Sequence, residues 1–211
     1  VRKLLILCGL GLALSVVGAP ARADDADALR RVEQGLAALA SVKAEFTQEI
    51  ATREGVPAER ATGTLWLRKP GHFRWEYRKP AQTLICDGEH FWLYDPELSQ
   101  VTVRRIKESL SETPAMLLAG ELSLREGFEV HEGGTLDGLV WSVLVPKTRD
   151  TDFREVRIGL AGSAIRRLEF VDKLNQRTRL DLSHVERNVV IPESLFHFVA
   201  PAGVDVIGNG R

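Results

Sequence analysis

The sequence predicts a mainly β fold, a strongly curved antiparallel sheet or barrel of about eleven strands entered from one helix. Three observations carry this. From Lys43 onward, apolar and polar residues alternate with a period of two. Turn signals such as Asp87-Gly88, Asp137-Gly138 and Ala161-Gly162 recur at the short intervals of an all-β chain. Only two stretches, 24–40 and 114–119, replace the alternation with helical signals. The 211 residues suit one domain with a real core, and 44% hydrophobic against 27% charged residues is ordinary globular composition. A formal net charge of -1 argues against nucleic acid as a partner.

The first segment, 1–23, reads as a secretory signal peptide. Arg2 and Lys3 precede an apolar run from Leu4 to Val17, and Ala21-Arg22-Ala23 has the small-residue cleavage pattern. The run is too short to cross a bilayer comfortably, where about 20 residues are needed. Cleavage after Ala23 leaves one domain over 24–211. It removes Arg2, Lys3 and Arg22 and no acid, so the mature chain is more acidic. It also leaves Cys86 as the one cysteine, which allows no internal disulfide.

Residues 24–40 follow as a helix. Leu29, Val32, Leu36 and Leu39 form one apolar stripe, and Asp24, Asp25 and Asp27 suit the positive end of the helix dipole. Gly35 within it costs about 1 kcal/mol against alanine, so packing must hold this helix. It lies on the sheet or covers an opening.

The strands then run in order: Ala44 to Ile50, Thr64 to Leu67, Phe73 to Tyr77, Thr83 to Cys86, Phe91 to Tyr94 and Gln100 to Val103. Thr113 as N-cap and Pro114 at the first helical position open a short helix to Ala119, closed by Gly120. Met116, Leu117 and Leu118 make it apolar on most sides, so it must lie against an apolar surface. Strands resume at Phe128 to His131, Leu139 to Val145, Phe153 to Leu160, Ala164 to Val171 and Arg177 to Val185. Phe196 and Phe198 alternate in an expected last strand.

Motifs for chemistry are absent from the sequence. There is no G-x-S-x-G, H-E-x-x-H, C-x-x-C or P-loop, and His72, His90, His131, His184 and His197 have no metal-ligand spacing. No catalytic residue, metal site or cofactor is expected. Cys86 with nearby His90 is the one candidate for thiol chemistry, and an apolar strand residue is the blander role for it. Half of the aromatic residues fall between 66 and 94: Trp66, Phe73, Trp75, Tyr77, Phe91, Trp92 and Tyr94. They make an ordinary core, or they line an apolar cavity of the kind a curved sheet can enclose. Periodicity does not separate the two.

Two runs are distinctive as wholes: Gly63-Thr64-Leu65-Trp66-Leu67-Arg68-Lys69-Pro70-Gly71-His72-Phe73-Arg74-Trp75-Glu76-Tyr77, and 86–101, which reads CDGEHFWLYDPELSQV. With Phe46-Thr47-Gln48 before them, Thr113 to Leu118 after, and Phe196-His197-Phe198 with Pro201-Ala202-Gly203-Val204 at the end, the chain resembles the outer-membrane lipoprotein carrier (LolA) family of Gram-negative bacteria. The resemblance implies an incomplete antiparallel β-barrel with an α-helical lid over an apolar cavity for lipoprotein acyl chains. It implies a periplasmic, monomeric, non-enzymatic carrier and chaperone. Such a carrier takes lipoproteins from an inner-membrane ATP-driven transporter and delivers them to an outer-membrane receptor.

Mapped onto this sequence, the expected cavity residues are Phe46, Trp66, Phe73, Trp75, Tyr77 and Phe91. The expected lid residues are Leu29, Val32, Leu36, Pro114, Met116, Leu117 and Leu118. The family's usual arginine before the proline, which ties the lid by hydrogen bonds to its backbone, is replaced here by Lys69, with Arg68 one residue earlier. Both are candidates for the latch, although neighbouring strand residues face opposite sides. Two other readings stand beside the carrier: a periplasmic lipid-binding sensor of envelope stress built on the same half-barrel, and an enzyme using Cys86.

Overall fold

The structure, a computed structural model, describes residues 21–106, 114–119, 123–149 and 151–208. The apolar run of the expected signal peptide, the Thr113 N-cap and Gly120 lie outside these residues.

The first helix, α1, is Ala21–Ala37 rather than 24–40. Its last turn loosens where the chain must straighten into β1, with Ala38 donating to Gln34 O at 3.0 Å and Leu39 to Leu36 O at 3.1 Å. Six strands follow: β1 Ser41–Ala51, β2 Pro57–Arg68, β3 His72–Tyr77, β4 Gln82–Asp87, β5 His90–Asp95 and β6 Gln100–Arg105. Next come α2 Pro114–Ala119 and α3 Leu124–Gly127. The remaining strands are β7 Phe128–Leu136, β8 Leu139–Pro146, β9 Phe153–Ala161, β10 Ala164–Asp172, β11 Arg177–Arg187 and β12 Asp205–Gly208.

All twelve strands lie in one sheet, in the order β12-β6-β5-β4-β3-β2-β1-β11-β10-β9-β8-β7. Two antiparallel meanders, β1 to β6 and β7 to β11, are joined by the pairing of β1 with β11. The sheet does not close, because β12 and β7 are its two edges. It curls instead. Side chains from strands far apart in that order, such as Cys86 on β4 and Ile158 on β9, belong to one hydrophobic core together with α1 and α2. That core defines the inner face. The chain leaves β6 near one edge and re-enters at the other as β7, and the connection carries α2 and α3.

Alternation decides which side chains point inward. Antiparallel partners share a face, so Leu67 opposite Phe73, and Phe73 opposite Cys86, form one inward row. Gly63 opposite Phe46 continues this face. A Cβ at Gly63 would stand 1.9 Å from Glu76 O and 2.5 Å from the Phe46 ring, so only glycine leaves room for that ring.

Several expectations need correction. Phe196 and Phe198 are not in a strand. A 3-10 turn, Glu193–Leu195, ends at Phe196 with φ -97 and ψ -5, which breaks extended alternation. Pro192 and Pro201 bracket this segment and lack the N–H a ladder needs. The last strand is β12, and it pairs with β6 in parallel, so the sheet is not wholly antiparallel. Among the described residues the count is therefore twelve. β2 starts at Pro57, well before Thr64. The helix α3 was not expected, although Ser123-Leu124-Arg125-Glu126 is a capping sequence and Ser123 Oγ accepts from Glu126 N at 3.3 Å.

The outer face carries a second, smaller apolar layer. Ile85, Val101, Val103 and Phe196 are buried yet separate from the inner core. Phe198 packs its ring 5.6 Å from Trp92 and 5.7 Å from Tyr94. The segment after β11 thus straps the outer face of β2 to β6.

Candidate functional site

The inner face is the candidate site. On β1 to β5 it is aromatic. Phe46, Phe73, Trp75 and Phe91 are buried in the core, and Tyr77 is partly buried against it. The ring centroids of Phe46 and Trp75 are 4.8 Å apart, Phe46 and Tyr77 meet edge-on at 5.2 Å, and Phe73 and Phe91 lie 6.1 Å apart. On β8 to β11 the inner face is aliphatic, with Leu144, Val156, Ile158, Leu168 and Leu180 all buried.

Trp66 does not join this face. It stands opposite Arg74, which alternates with the inward Phe73 and Trp75. Period-two spacing places Leu65 and Leu67 inward instead, each 1% exposed. The signal for this was in the sequence, since residues adjacent to Trp66 had to take the face it did not. The aliphatic half, supplied by β8 to β11, was also missed. Its alternating apolar positions carry no aromatic label.

Two helices cover the inner face. α1 lies over β7 to β10. Val32 and Leu36 are buried in the core and Leu29 is partly buried against it. Gly35 lets it approach, because a Cβ there would stand 2.9 Å from Leu160 Cδ2. Polar links surround the apolar stripe. Asp25 accepts from Glu132 N at 2.9 Å and pairs with His131 at 3.1 Å, which holds its carboxyl below the usual aspartate range. Arg31 pairs with Glu132, and Arg125 with Glu33 at 2.7 Å. α2 lies over β2 and β3, with Leu117, Leu118 and Ala119 buried in the same core. The side chains of Pro114 and Met116 lie outside the described residues.

The two latch candidates separate. Lys69 Nζ donates to Leu36 O at 2.6 Å, in the last turn of α1. A cation there also meets the negative end of the helix dipole. Lys69 is half-buried, and that burial lowers its pKa. Arg68 turns to the outer face. It pairs with Glu193 and its guanidinium lies 4.9 Å from the Phe196 ring centroid, so it fastens the outer strap.

Among the described residues, a cavity of about 20 Å³ lies under α1 and α2, lined by apolar groups of Leu39, Val42, Leu65, Leu67, Leu118 and Ile165. That is space for roughly one water molecule. Val32, Leu36, Leu117 and Leu118 from the two helices are buried against this inner face. The strand alternation also parts Cys86 from His90. Cys86 is fully buried on the inner face opposite Phe91, while His90 lies outward, 3.8 Å from Asp87.

The fold is thus an open half-barrel with an apolar inner face, covered by two helices that are largely held by side-chain contacts. Residues 37–199 match the family described as outer membrane lipoprotein carrier protein LolA. The outer-membrane lipoprotein carrier protein of Dechloromonas aromatica (strain RCB) is 39% identical over 170 residues, covering 80% of this chain and 82% of that one. That of Methylobacillus flagellatus (strain ATCC 51484 / DSM 6875 / VKM B-1610 / KT) is 37% identical over 189 residues, covering 89% and 91%. Among solved structures, an uncharacterized conserved protein from Thermus thermophilus superposes with a TM-score of 0.54 at 15% identity, over 86% of this chain and 97% of that one. That last likeness concerns the fold alone. The chain belongs to the LolA family of outer-membrane lipoprotein carriers.

Proposed function

We propose that this chain is a periplasmic carrier whose inner face takes up lipoprotein acyl chains when α1 and α2 withdraw from it. It accepts its cargo from an inner-membrane ATP-driven transporter and yields it to an outer-membrane receptor. It works as a monomer after cleavage following Ala23. The observation that carries this reading is the covered inner face: apolar across both meanders, packed against Val32, Leu36, Leu117 and Leu118, and tied at one end by Lys69.

The energetics suit carriage rather than storage. An acyl chain contributes about 0.8 kcal/mol per buried CH₂, so two or three long chains offer tens of kcal/mol in gross terms. Non-covalent affinities saturate near about -20 kcal/mol, and a carrier must also release. The closed helices supply the opposition. Cargo has to displace apolar side chains that are already buried, and so recovers only part of its transfer energy.

Native mass spectrometry of the protein taken from its own periplasm tests the reading. The expected spectrum contains the chain, beginning at Asp24, together with a lipidated protein. A chain that keeps 1–23 overturns the export step. A chain that never carries lipid, and from which lipidated peptide displaces no fluorescent fatty-acyl probe, overturns the carrier.

A further inference from the structure

The inner face is not uniformly apolar. Towards the end of β1 to β3 farthest from Lys69 it holds three polar side chains, Gln48, Trp75 and Tyr77. Trp75 is only 2% exposed, and its Nε1 has no acceptor in hydrogen-bonding geometry. The Tyr77 oxygen lies close enough to Trp75 Nε1 to interact with it weakly but is poorly aligned, and the Tyr77 hydroxyl donates to Gln48 Oε1 at 3.0 Å. A buried N–H whose one neighbouring acceptor is poorly aligned is unfavourable, and such groups call for a reason. An interior built only for hydrocarbon has no use for it, since apolar side chains could line the same face without a polar atom.

The position supplies the reason. Gln48 also lines an open depression of about 460 Å³ at the rim, with Ile50, Glu59, Arg60, Ala61 and Pro80. Immediately inward of it stand the Phe46, Trp75 and Tyr77 rings. The three polar groups therefore mark the boundary between a wet, charged mouth and a dry interior. In a lipidated polypeptide, that same boundary is where acyl chains join the glyceryl and amino groups through ester and amide carbonyls. Those carbonyls are acceptors, and this boundary offers donors.

Resting on the carrier reading above, we propose that Trp75 Nε1 and the Tyr77 hydroxyl form a carbonyl-binding subsite that recognises the acyl linkage of the cargo. Trp75 donates to the carbonyl oxygen. Tyr77 becomes a second donor when its proton swings away from Gln48, and Gln48 positions the phenol. The subsite makes the carrier prefer linked acyl chains to bare hydrocarbon and sets how deep the chains enter.

The test compares two synthetic lipopeptides as displacers of a fluorescent fatty-acyl probe. One carries two ester-linked palmitoyl chains on a glyceryl-cysteine peptide, and the other carries the same chains through ether links. The wild-type chain is expected to bind the ester about three- to tenfold more tightly, the range of one or two buried hydrogen bonds. Trp75→Phe keeps an aromatic body and is expected to bring the ester-to-ether ratio close to one. Tyr77→Phe is expected to reduce it, and it stands in if Trp75→Phe does not fold. Equal binding of ester and ether by the wild type overturns the subsite alone, as does a ratio that survives in whichever of the two variants fold. Failure of both lipopeptides to displace the probe from the wild type overturns the carrier reading itself.

Discussion

The contact between Lys69 Nζ and Leu36 O is made only while α1 is seated. Removing it should favour the open form. Lys69→Leu is expected to bind a fatty-acyl probe several-fold more tightly and to pass it more slowly to acceptor vesicles, in line with about 1 kcal/mol for one hydrogen bond. Arg68→Leu is the contrast. It should leave probe affinity alone and lower the melting midpoint, because it loosens Glu193 and Phe196 on the outer face. The reverse pattern would make Arg68 the latch. Gly63→Ala tests the packing of the aromatic half. Its Cβ would meet a backbone oxygen, so a loss of about 1–3 kcal/mol in chemical denaturation is expected. At this scale the sequence already held the answer for Trp66 and for Arg68, because strict alternation assigns each a side. Which partner Lys69 would find was not legible, since Leu36 is far away in the chain and meets it only through the fold.

Among the elements, α2 was legible end to end because proline starts it and its apolar residues demand cover. Leu117→Glu and Leu118→Glu are each expected to weaken probe binding more than tenfold, since a carboxylate would have to be desolvated against the apolar interior. Normal binding by both variants would remove α2 from the lid. α1 was legible as a helix, but its docking was not, because its polar ties run to β7. Asp25 makes that docking pH-dependent. Its pKa is lower in the folded chain, through the Glu132 amide first and His131 second. The contact is therefore complete above the ordinary aspartate range and is lost as pH falls through the lowered value. Hydrogen exchange in α1 should rise on that descent before exchange in β1 and β11 does, and Asp25→Asn should raise it at neutral pH. The strap after β11 misled period-two reasoning. Phe196 and Phe198 look like a strand, yet each finds its own aromatic partner on the outer face.

For the molecule as a whole, the meanders could be read from turn signals, while the joining of β1 to β11 and the parallel addition of β12 could not. Both depend on pairings between distant segments that no local pattern encodes. The packing of Val32, Leu36, Leu117 and Leu118 against the inner face was equally hidden, because composition is the same whether apolar side chains meet a ligand or one another. Cys86 is buried opposite Phe73 and Phe91 and makes no disulfide among the described residues. The melting midpoint of the chain beginning at Asp24, as proposed above, is therefore expected to be the same with and without reductant. A midpoint that falls under reductant would mean a bond between two molecules. The path from β6 to β7 has a further consequence. It leaves β6 beside one edge of the open sheet, carries α2 over β2 and β3, and re-enters as β7 at the other edge. Such a span works like the handle of a basket. Its contour length is fixed by covalent bonds, so on the carrier reading proposed above cargo that lifts α2 would draw on β6 and β7 together. The load a basket can hold is then limited by its handle as much as by its weave.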